Sequence, residues 1–254
     1  MTSTAKWTFV ADQLRRQIER EELPPGSQIT PEAELAEELG VGRATVRRAV
    51  QALTEEGLLT AGRGLGRRVR ERPTLLSWDL SAYEDSSRSD THSTDAWNQG
   101  IEAQGMTPLQ EVTVLKEYAQ GEIATWLGLS GDDLVTVRRR IRYANNQPYQ
   151  LSTSYFPQWI AAGSALELPG DQSAPGGLLA SVGYPQRALS DHIRGRMPSR
   201  NESEALHIAS GVPVIEHVRI GYATDETPVR VMLTVVPTDR WELRYDLAVT
   251  QEES

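Results

Sequence analysis

The chain repeats one pattern of glycine and proline residues at a fixed separation. Each residue of the first set recurs 80 positions later: Gly131, Pro148 and Pro157, then Gly211, Pro228 and Pro237. Each copy reads as a helix, a glycine turn, a strand, a short turn before proline and a second strand. These elements fall at 123–129, 134–143 and 149–156, and again at 202–208, 214–222 and 229–236. Since a repeated unit buries its apolar face against its copy, we predict two βαββ-like halves in one antiparallel α+β sheet, with a pocket between them.

The first 60 residues carry a different pattern, that of three short helices. Residues 6–22 place Trp7, Val10, Leu14 and Ile18 on one stripe, as an amphipathic helix requires. A second helix is predicted to start at Thr30-Pro31, with Thr30 as its N-cap, and to stop at Gly40. After the turn Val41-Gly42, residues 43–56 place Val46, Ala49, Val50 and Leu53 on a core-facing stripe. Two helices joined by so short a glycine turn indicate a helix-turn-helix.

A glycine-rich hairpin follows these helices. Residues 58–60 and 67–70 read as two short strands, and residues 61–66 form the tip between them. Glycine permits positive φ and close approach of the backbone to a partner. Residues 1–71 are therefore predicted to fold as a winged helix-turn-helix.

The net charge of −9 hides an uneven distribution. Residues 41–72 hold eight Arg and three Glu, whereas residues 73–254 carry 14 basic and 24 acidic residues. Such asymmetry favours a polyanion-binding surface on the first module, although charge that is merely solvated on helix faces is the alternative.

Several protein classes are excluded or disfavoured by composition. The absence of cysteine excludes disulfides, thiolate metal sites and cysteine nucleophiles. No apolar run approaches a membrane span, and the N-terminus lacks the apolar stretch of a signal peptide. The four histidines show no metal-ligand spacing. We therefore expect a cytoplasmic protein with no metal, no cofactor, no catalytic residues and no membrane contact.

The third helix presents side chains suited to reading DNA. Arg43 and Arg47 are four residues apart and share one face, which Thr45 and Arg48 flank. Arginine binds guanine O6 and N7 bidentately, and threonine can contact a base edge or the thymine methyl group. Arg63 at the hairpin tip is expected to reach the adjacent groove, with Arg67 and Arg68 on the phosphate backbone.

Residues 7–70 resemble the GntR family of bacterial winged-helix transcription regulators. The matching stretches are Leu-Pro-Pro-Gly-Ser at 23–27, Glu-Leu-Ala-Glu-Glu-Leu-Gly-Val at 34–41, Arg-Ala-Thr-Val-Arg-Arg-Ala at 43–49, Leu-Thr-Glu-Glu-Gly at 53–57 and Gly-Arg-Gly at 62–64. The resemblance implies DNA contacts at Arg43, Thr45, Arg47, Arg63 and Gly64. The chain departs from the family at Gly42, where Ser or Thr is usual, at Ile29-Thr30-Pro31, where Leu-Pro-Ser is usual, and at Ala33, where a basic residue occurs.

The strand predicted at 134–143 carries an unusual row of cations. Strand alternation places Thr136, Arg138, Arg140 and Arg142 on one face. Three guanidinium groups about 7 Å apart repel one another unless acids or a bound anion neutralise them. Arginine suits bidentate recognition of carboxylate or phosphate, and Ser152 and Ser154 on the next strand could add hydroxyl groups. Pairing of these arginines with acidic residues at the surface is the alternative.

The C-terminal region resembles the UTRA effector-binding domain of the HutC-type branch of the GntR family. The motifs are Ala-x-x-Leu-Gly-Leu at 124–129, Arg-Ile-Arg at 140–142 with Gln147-Pro148, Ser-Tyr-Phe-Pro at 154–157 and Pro228-Val229. The resemblance implies a chorismate-lyase-like fold, dimerisation through this domain, and effector contacts at Arg140, Arg142, Ser154, Tyr155 and Arg230. Ser152 and Arg230 stand where the family often has Glu.

Together these features predict three segments: DNA-binding residues 1–71, a linker at 72–81 and an effector-binding and dimerisation domain at 82–254, with residues 81–100 as a polar loop. The predicted function is a homodimeric repressor whose affinity for a pseudo-palindromic operator is controlled by a small anionic effector. Two rivals remain: a lyase that releases an aromatic acid held by Arg140 and Arg142, and a DNA-binding protein without an effector.

Overall fold

The computed structural model describes residues 3–60, 66–71, 73–80, 96–172, 174, 177–209 and 211–246. The chain divides into two compact units: Met1–Thr74 with Ile208–Val212, and Leu75–His207 with Pro213–Ser254. The second unit thus begins inside the stretch that the sequence analysis treats as a linker. Within the ranges given above, no helix is both long enough and apolar enough to cross a membrane.

The first unit contains three helices, α1 Ser3–Glu19, α2 Glu32–Glu38 and α3 Arg43–Glu55. The predicted apolar stripes are confirmed, since Val10, Leu14, Val46, Ala49, Val50 and Leu53 are buried in one core. Gly40 has a φ of 61°, and the Val41 N–H donates to Ala36 O at 3.0 Å. This left-handed glycine ends α2. The N-cap of α2 is Pro31 rather than the predicted Thr30, and it makes no side-chain capping hydrogen bond.

Three extended segments complete the first unit. Leu59 pairs with Val69 and Gln28 pairs with Arg68 as isolated antiparallel bridges. The two predicted strands of the hairpin are therefore reduced to short bridged segments, and the residues around Gln28 supply a third segment that the sequence analysis missed. Residues 61–65 of the tip predicted at 61–66, with Arg63 and Gly64 among them, lie outside the described residues.

The second unit is built on a six-stranded antiparallel sheet of order β2-β3-β4-β7-β6-β5. Its first half is β2 Pro108–Tyr118, α5 Gly121–Leu127, β3 Leu134–Ala144 and β4 Gln147–Pro157. Its second half is β5 Ala188–Arg196, α8 Arg200–Ala205, β6 Val214–Tyr222 and β7 Pro228–Pro237. The halves join where β4 pairs with β7. The prediction of two βαββ halves in one antiparallel sheet is therefore confirmed.

Short elements surround this sheet. Along the chain, the segment between the two halves contains α6 Gln158–Ala161, a 3-10 helix at Ala165–Glu167 and α7 Leu178–Ser181. A separate parallel pair consists of β1 Leu76–Asp79 and β8 Trp241–Arg244. Helix α4, Ala96–Glu102, occupies the last residues of the predicted loop at 81–100, so the loop prediction is wrong there. Its tryptophan, Trp97, is buried against Trp241, with ring centroids 5.5 Å apart.

The two faces of the sheet differ in chemistry because alternate residues of each strand point to opposite sides. One face is apolar and packs with α5 in a cluster that includes Val135, Val137, Val218, Ile220 and Val231. The other face, called the polar face below, carries Arg138, Arg140, Arg142, Gln150, Ser152, Ser154, Arg230, Thr234, His217 and Arg219. Most of these polar residues are buried, so each needs a partner.

Candidate functional sites

Helix α3 keeps its basic side chains on the solvent side. Arg43, Arg47 and Arg48 are exposed and Thr45 is half-buried, while the opposite side of the helix is core. Arg47 Nε lies 3.4 Å from Glu32 Oε2, yet the Arg47 side chain remains 75% exposed. A surface ion pair of this kind is weak, so Arg47 can exchange Glu32 for another acceptor. The helix therefore offers a cationic ridge to a polyanion.

Arg48 differs from its neighbours because it stacks on α1. Its guanidinium carbon lies 4.7 Å from the centre of the Trp7 ring. Such a cation–π contact fixes the direction of the side chain while its charge stays near solvent.

Arg67 and Arg68, two of the described arginines of the hairpin, have unequal freedom. Arg68 is exposed, and its Nη1 donates to Gly26 O at 2.9 Å. Arg67 is half-buried, and its Nη1 donates to Thr54 Oγ1 at 2.8 Å. Thr54 is buried and itself donates to Val50 O. Arg67 therefore ties the hairpin to α3, and Arg68 is the better placed of the two for a phosphate.

A cavity of about 110 Å³ opens on the polar face of the sheet. Arg140 of β3 and Arg230 of β7 line it together, which places one guanidinium from each half of the sheet at one site. Phe156, Gln186 and the backbone and side chains of Gly177, Leu178, Leu179 and Ala180 complete the lining. The cavity is thus cationic on the sheet side and apolar on the α7 side.

Arg230 is held in place by its neighbours on the sheet. Its Nε and Nη2 donate to Ser154 Oγ at 3.2 and 2.8 Å, and its guanidinium carbon lies 5.8 Å from the Phe156 ring centre. Ser154 is fully buried. Ser154, predicted as an effector contact, therefore lies where it orients Arg230.

Three buried polar groups form a row across the sheet beside Arg140. Arg140 pairs with Ser152, Ser152 with Thr234, and Thr234 with His217 in the strand register. Ser152 Oγ, Thr234 Oγ1 and His217 Nδ1 are buried and have no hydrogen-bond partner among the described residues. A buried polar atom without a partner costs about 1–3 kcal/mol, so a ligand or ordered water is expected here.

His217 is fixed from two sides. Its Nε2 lies 2.9 Å from Asp191 Oδ1, and its ring packs edge-on against Trp78 of β1 with centroids 5.2 Å apart. Asp191 also accepts two hydrogen bonds from Arg219, at 2.7 and 2.6 Å. Burial opposes ionisation of Asp191, but the hydrogen bonds from Arg219 and His217 outweigh it and lower the pKa of the carboxyl group. Because Nε2 faces the carboxylate, Nδ1 is the ring nitrogen left for a further polar group.

The structure places Arg138 and Arg142 away from the cavity lining. Arg138 is fully buried and donates to the backbone carbonyl groups of Leu166, Leu168 and Gly170. Arg142 is buried with its guanidinium carbon 5.3 Å from the Trp97 ring centre. The strand alternation was predicted correctly, but the elements above the face divide the three arginines among different surroundings.

Tyr155 requires a correction. It lies on the apolar face, packed against the cluster under α5, because residues 154 and 155 point to opposite sides of a strand. Burial raises the pKa of its hydroxyl group. The role that the family resemblance implied for Tyr155 therefore has no support from its position.

Sequence reasoning missed Gln186 and Phe156 of the cavity lining, and His217 and Thr234 of the polar row beside Arg140. One signal was available for Gln186, since an isolated glycine in a strand often marks a close approach. A Cβ atom at Gly221 of β6 would overlap Gln186 Oε1. Gln186 Oε1 is buried and lacks a hydrogen-bond partner within the described part of the chain.

The chain combines a winged helix-turn-helix with a sheet domain that contains a cationic cavity. This combination is typical of DNA-binding transcriptional regulators. The family models agree with this class: the model for bacterial regulatory proteins of the gntR family matches residues 7–69, and the UTRA domain model matches residues 103–242. The chain belongs to the GntR family of transcriptional regulators and carries a UTRA domain.

Relatives align along nearly the whole chain. The uncharacterized HTH-type transcriptional regulator SCO4628 of Streptomyces coelicolor is 30% identical, over 96% of this chain and 93% of its own. The mannosyl-D-glycerate transport/metabolism system repressor MngR of Escherichia coli is 28% identical, over 85% of each chain. A crystal structure of a GntR-family transcriptional regulator has a TM-score of 0.69 at 25% identity, covering 96% of this chain and 98% of that one. These proteins are regulators, which argues against the lyase alternative.

Proposed function

We propose that the protein is a repressor whose operator affinity is controlled by a small anionic effector in the cavity of the sheet. The observation that carries the proposal is the convergence of Arg140 and Arg230, one from each half, on that cavity. Two guanidinium groups at one concave site suit bidentate binding of a carboxylate or phosphate. MngR is a repressor by name, which supports repression, as opposed to activation, of transcription.

The rest of the effector is proposed to meet Gln186 in the cavity lining and the buried polar row that starts beside Arg140. Gln186 Oε1, Ser152 Oγ, Thr234 Oγ1 and His217 Nδ1 are buried without protein partners in the described ranges. A ligand that pairs with them relieves the cost of burying them. The apolar side of the cavity, formed by Phe156 and Leu179, excludes water and strengthens the ionic contacts. Arg142, predicted as a contact, is left out of this proposal.

DNA recognition is proposed to use α3 as the reading helix. Arg43, Thr45 and Arg47 would meet base edges in the major groove, with Arg48 beside them and Arg68 on a phosphate. Arg63 and Gly64 remain predicted contacts in the hairpin tip. A homodimer would place two such helices on the half-sites of a pseudo-palindromic operator, and the cytoplasm is the compartment in which such a regulator meets DNA.

Control requires that the effector bind the DNA-competent and DNA-free states with different affinity. Trp78 offers a physical connection, because it lies on β1, the first strand after the DNA-binding unit in the chain, and contacts His217. An effector that orders the Ser152–Thr234–His217 row therefore acts directly on a side chain that packs against β1.

Calorimetric titration of the full-length protein with citrate and with glycerol 3-phosphate tests the anion-binding site. We expect saturable binding by the wild type and a loss of at least about tenfold in Arg230→Met, since one charge-assisted bidentate contact disappears. Arg200→Met is the matched control, because Arg200 is 89% exposed and pairs only with Glu204 among the described residues. Wild-type protein that binds neither these nor other carboxylates and phosphate esters would contradict the proposal.

A further inference from the structure

Arg138 is a buried cation with only neutral oxygen atoms as hydrogen-bond partners in the described structure. Its Nη1 donates to Leu166 O at 3.0 Å and to Leu168 O at 2.7 Å, and its Nη2 donates to Gly170 O at 2.7 Å. Desolvation by burial lowers the pKa of the guanidinium group. Its Nε is buried without a hydrogen-bond partner in the described ranges, so the charge depends on the three carbonyl groups, and they and Arg138 fix one another.

The segment that Arg138 holds is anchored from a second direction as well. Glu167 accepts hydrogen bonds from Lys116 Nζ at 2.7 Å, from Gln158 Nε2 at 2.8 Å and from Gly163 N at 3.1 Å. These contacts lower the pKa of Glu167 to about 2. Residues 163–170 are therefore anchored by hydrogen bonds from side chains of both β3 (Arg138) and β2 (Lys116).

This segment supports the wall of the cavity opposite the two arginines. Leu166 is fully buried and belongs to one apolar cluster with Leu179, Phe156 and Val229. Leu179 is the buried residue of α7, and it lines the cavity together with Leu178 and Ala180. A shift of Leu166 would therefore pass directly to α7 and change the width of the cavity.

We infer that Arg138 is a positioning residue for the effector site: it holds the segment Leu166–Gly170 so that α7 stands at a fixed distance from Arg140 and Arg230. This inference rests on the proposed effector function. A binding site loses affinity when its supporting residues allow the ligand-contacting groups to move by about 1 Å. Arginine suits the task because its rigid fork presents separate nitrogen atoms to separate carbonyl groups, whereas the ammonium group of lysine presents one.

The chain provides a matched control in Arg240. It is also buried, and it donates to Leu206 O at 2.7 Å, to His207 O at 3.0 Å and to Pro148 O. Burial lowers the pKa of Arg240 as it does that of Arg138. None of these three carbonyl residues lines the cavity. Arg240→Met therefore shows the effect of losing a buried arginine without a displacement of α7.

The test compares full-length wild type with Arg138→Met, Arg138→Lys and Arg240→Met, at a temperature where all four are folded. Amide hydrogen exchange by mass spectrometry covers residues 164–170 and 178–184, and calorimetry measures citrate and glycerol 3-phosphate binding. We expect about tenfold faster exchange in both segments and about tenfold weaker anion binding for Arg138→Met, from loss of the charge-assisted hydrogen bonds. Arg240→Met should keep wild-type values for both, and Arg138→Lys should recover part of the affinity.

Two results overturn the inference: wild-type exchange at residues 178–184 in Arg138→Met, or equal weakening of anion binding in Arg138→Met and Arg240→Met. Failure of the proposed function looks different, because the wild type itself would then bind no anion. In that case the exchange comparison still decides whether Arg138 positions α7.

Discussion

Helix α3 carries three arginines within six residues, and strand β3 carries three on one face at alternate positions, yet the two sets lie in opposite environments. Arg43, Arg47 and Arg48 of α3 are exposed, whereas Arg138 and Arg142 of β3 are buried and Arg140 is half-buried. On the helix, apolar residues spaced three and four apart take the core side and leave the cations outside. On the strand, alternation sends all three arginines to one face, which the fold then covers.

The difference decides what each set can do. Exposed arginines cost little in free energy and stay available to a polyanion such as DNA. Buried arginines must be satisfied by carbonyl groups, aromatic rings or a ligand. Arg138 and Arg142 have the first two kinds of partner, and Arg140 faces the cavity. The same residue type thus marks a nucleic-acid surface in one unit and a ligand site in the other.

The largest expected contrast is in stability. Arg138→Met should lower the free energy of unfolding by about 3 kcal/mol, because it removes the charged donor of three carbonyl groups, one of them on buried Leu166, and leaves a cavity in the covered face. Arg43→Met, on the exposed side of α3, should change it by less than about 0.5 kcal/mol. Urea denaturation of the full chain followed by tryptophan fluorescence measures both. Equal losses for the two variants would contradict the contrast between the two sets.

The next largest effect is expected within the first unit, where base contacts and phosphate contacts should have different consequences for DNA binding. Arg47→Ala should reduce discrimination at one base pair by about 1–3 kcal/mol, since a bidentate base contact is lost. Arg68→Ala should weaken binding to all sequences alike and lower the salt slope by about one. Fluorescence anisotropy with operator and random DNA at several salt concentrations measures both effects. An unchanged ratio of operator to random affinity in Arg47→Ala would show that this arginine does not read bases.

The smallest expected effect is the pH dependence that Glu167 adds to the second unit. Its pKa of about 2 in the folded chain lies below the ordinary value of 4.5. The ionised carboxylate therefore stabilises the fold above pH 4.5, and this contribution is lost as the pH falls from 4.5 towards 2. Glu167→Gln should be less stable than the wild type at neutral pH and approach it in acid. A stability difference that does not change with pH would contradict the role of its charge.

The repeat and the strand alternation carried most of the fold prediction. The offset of 80 residues predicted β3, β4, β6 and β7, because glycine and proline mark the ends of elements in any context. Alternation also predicted that Ser152 and Ser154 share one face of their strand, and the register adds that this is the face of Arg140. The same rule places Tyr155 on the opposite face from Ser154, where family resemblance had suggested a shared site.

What the sequence could not predict depends on contacts between distant segments. Arg138 and Arg140 are equivalent by alternation, and only the position of Leu166–Gly170, about 30 residues further along the chain, distinguishes them. Gln186 joins the cavity because Gly221 leaves room for its side chain. Helix α4 was missed because its polar residues give no clear apolar stripe.

The central claim is that anion binding at Arg140 and Arg230 controls DNA binding by α3. The direct measurement is the affinity of the full-length protein for an operator selected from random DNA, with and without citrate, glycerol 3-phosphate and other carboxylates and phosphate esters. We predict that at least one of these anions weakens operator binding by the wild type, and that Arg230→Met binds the operator normally but does not respond. Operator affinity that no anion changes, or an equal response in Arg230→Met, would contradict the account.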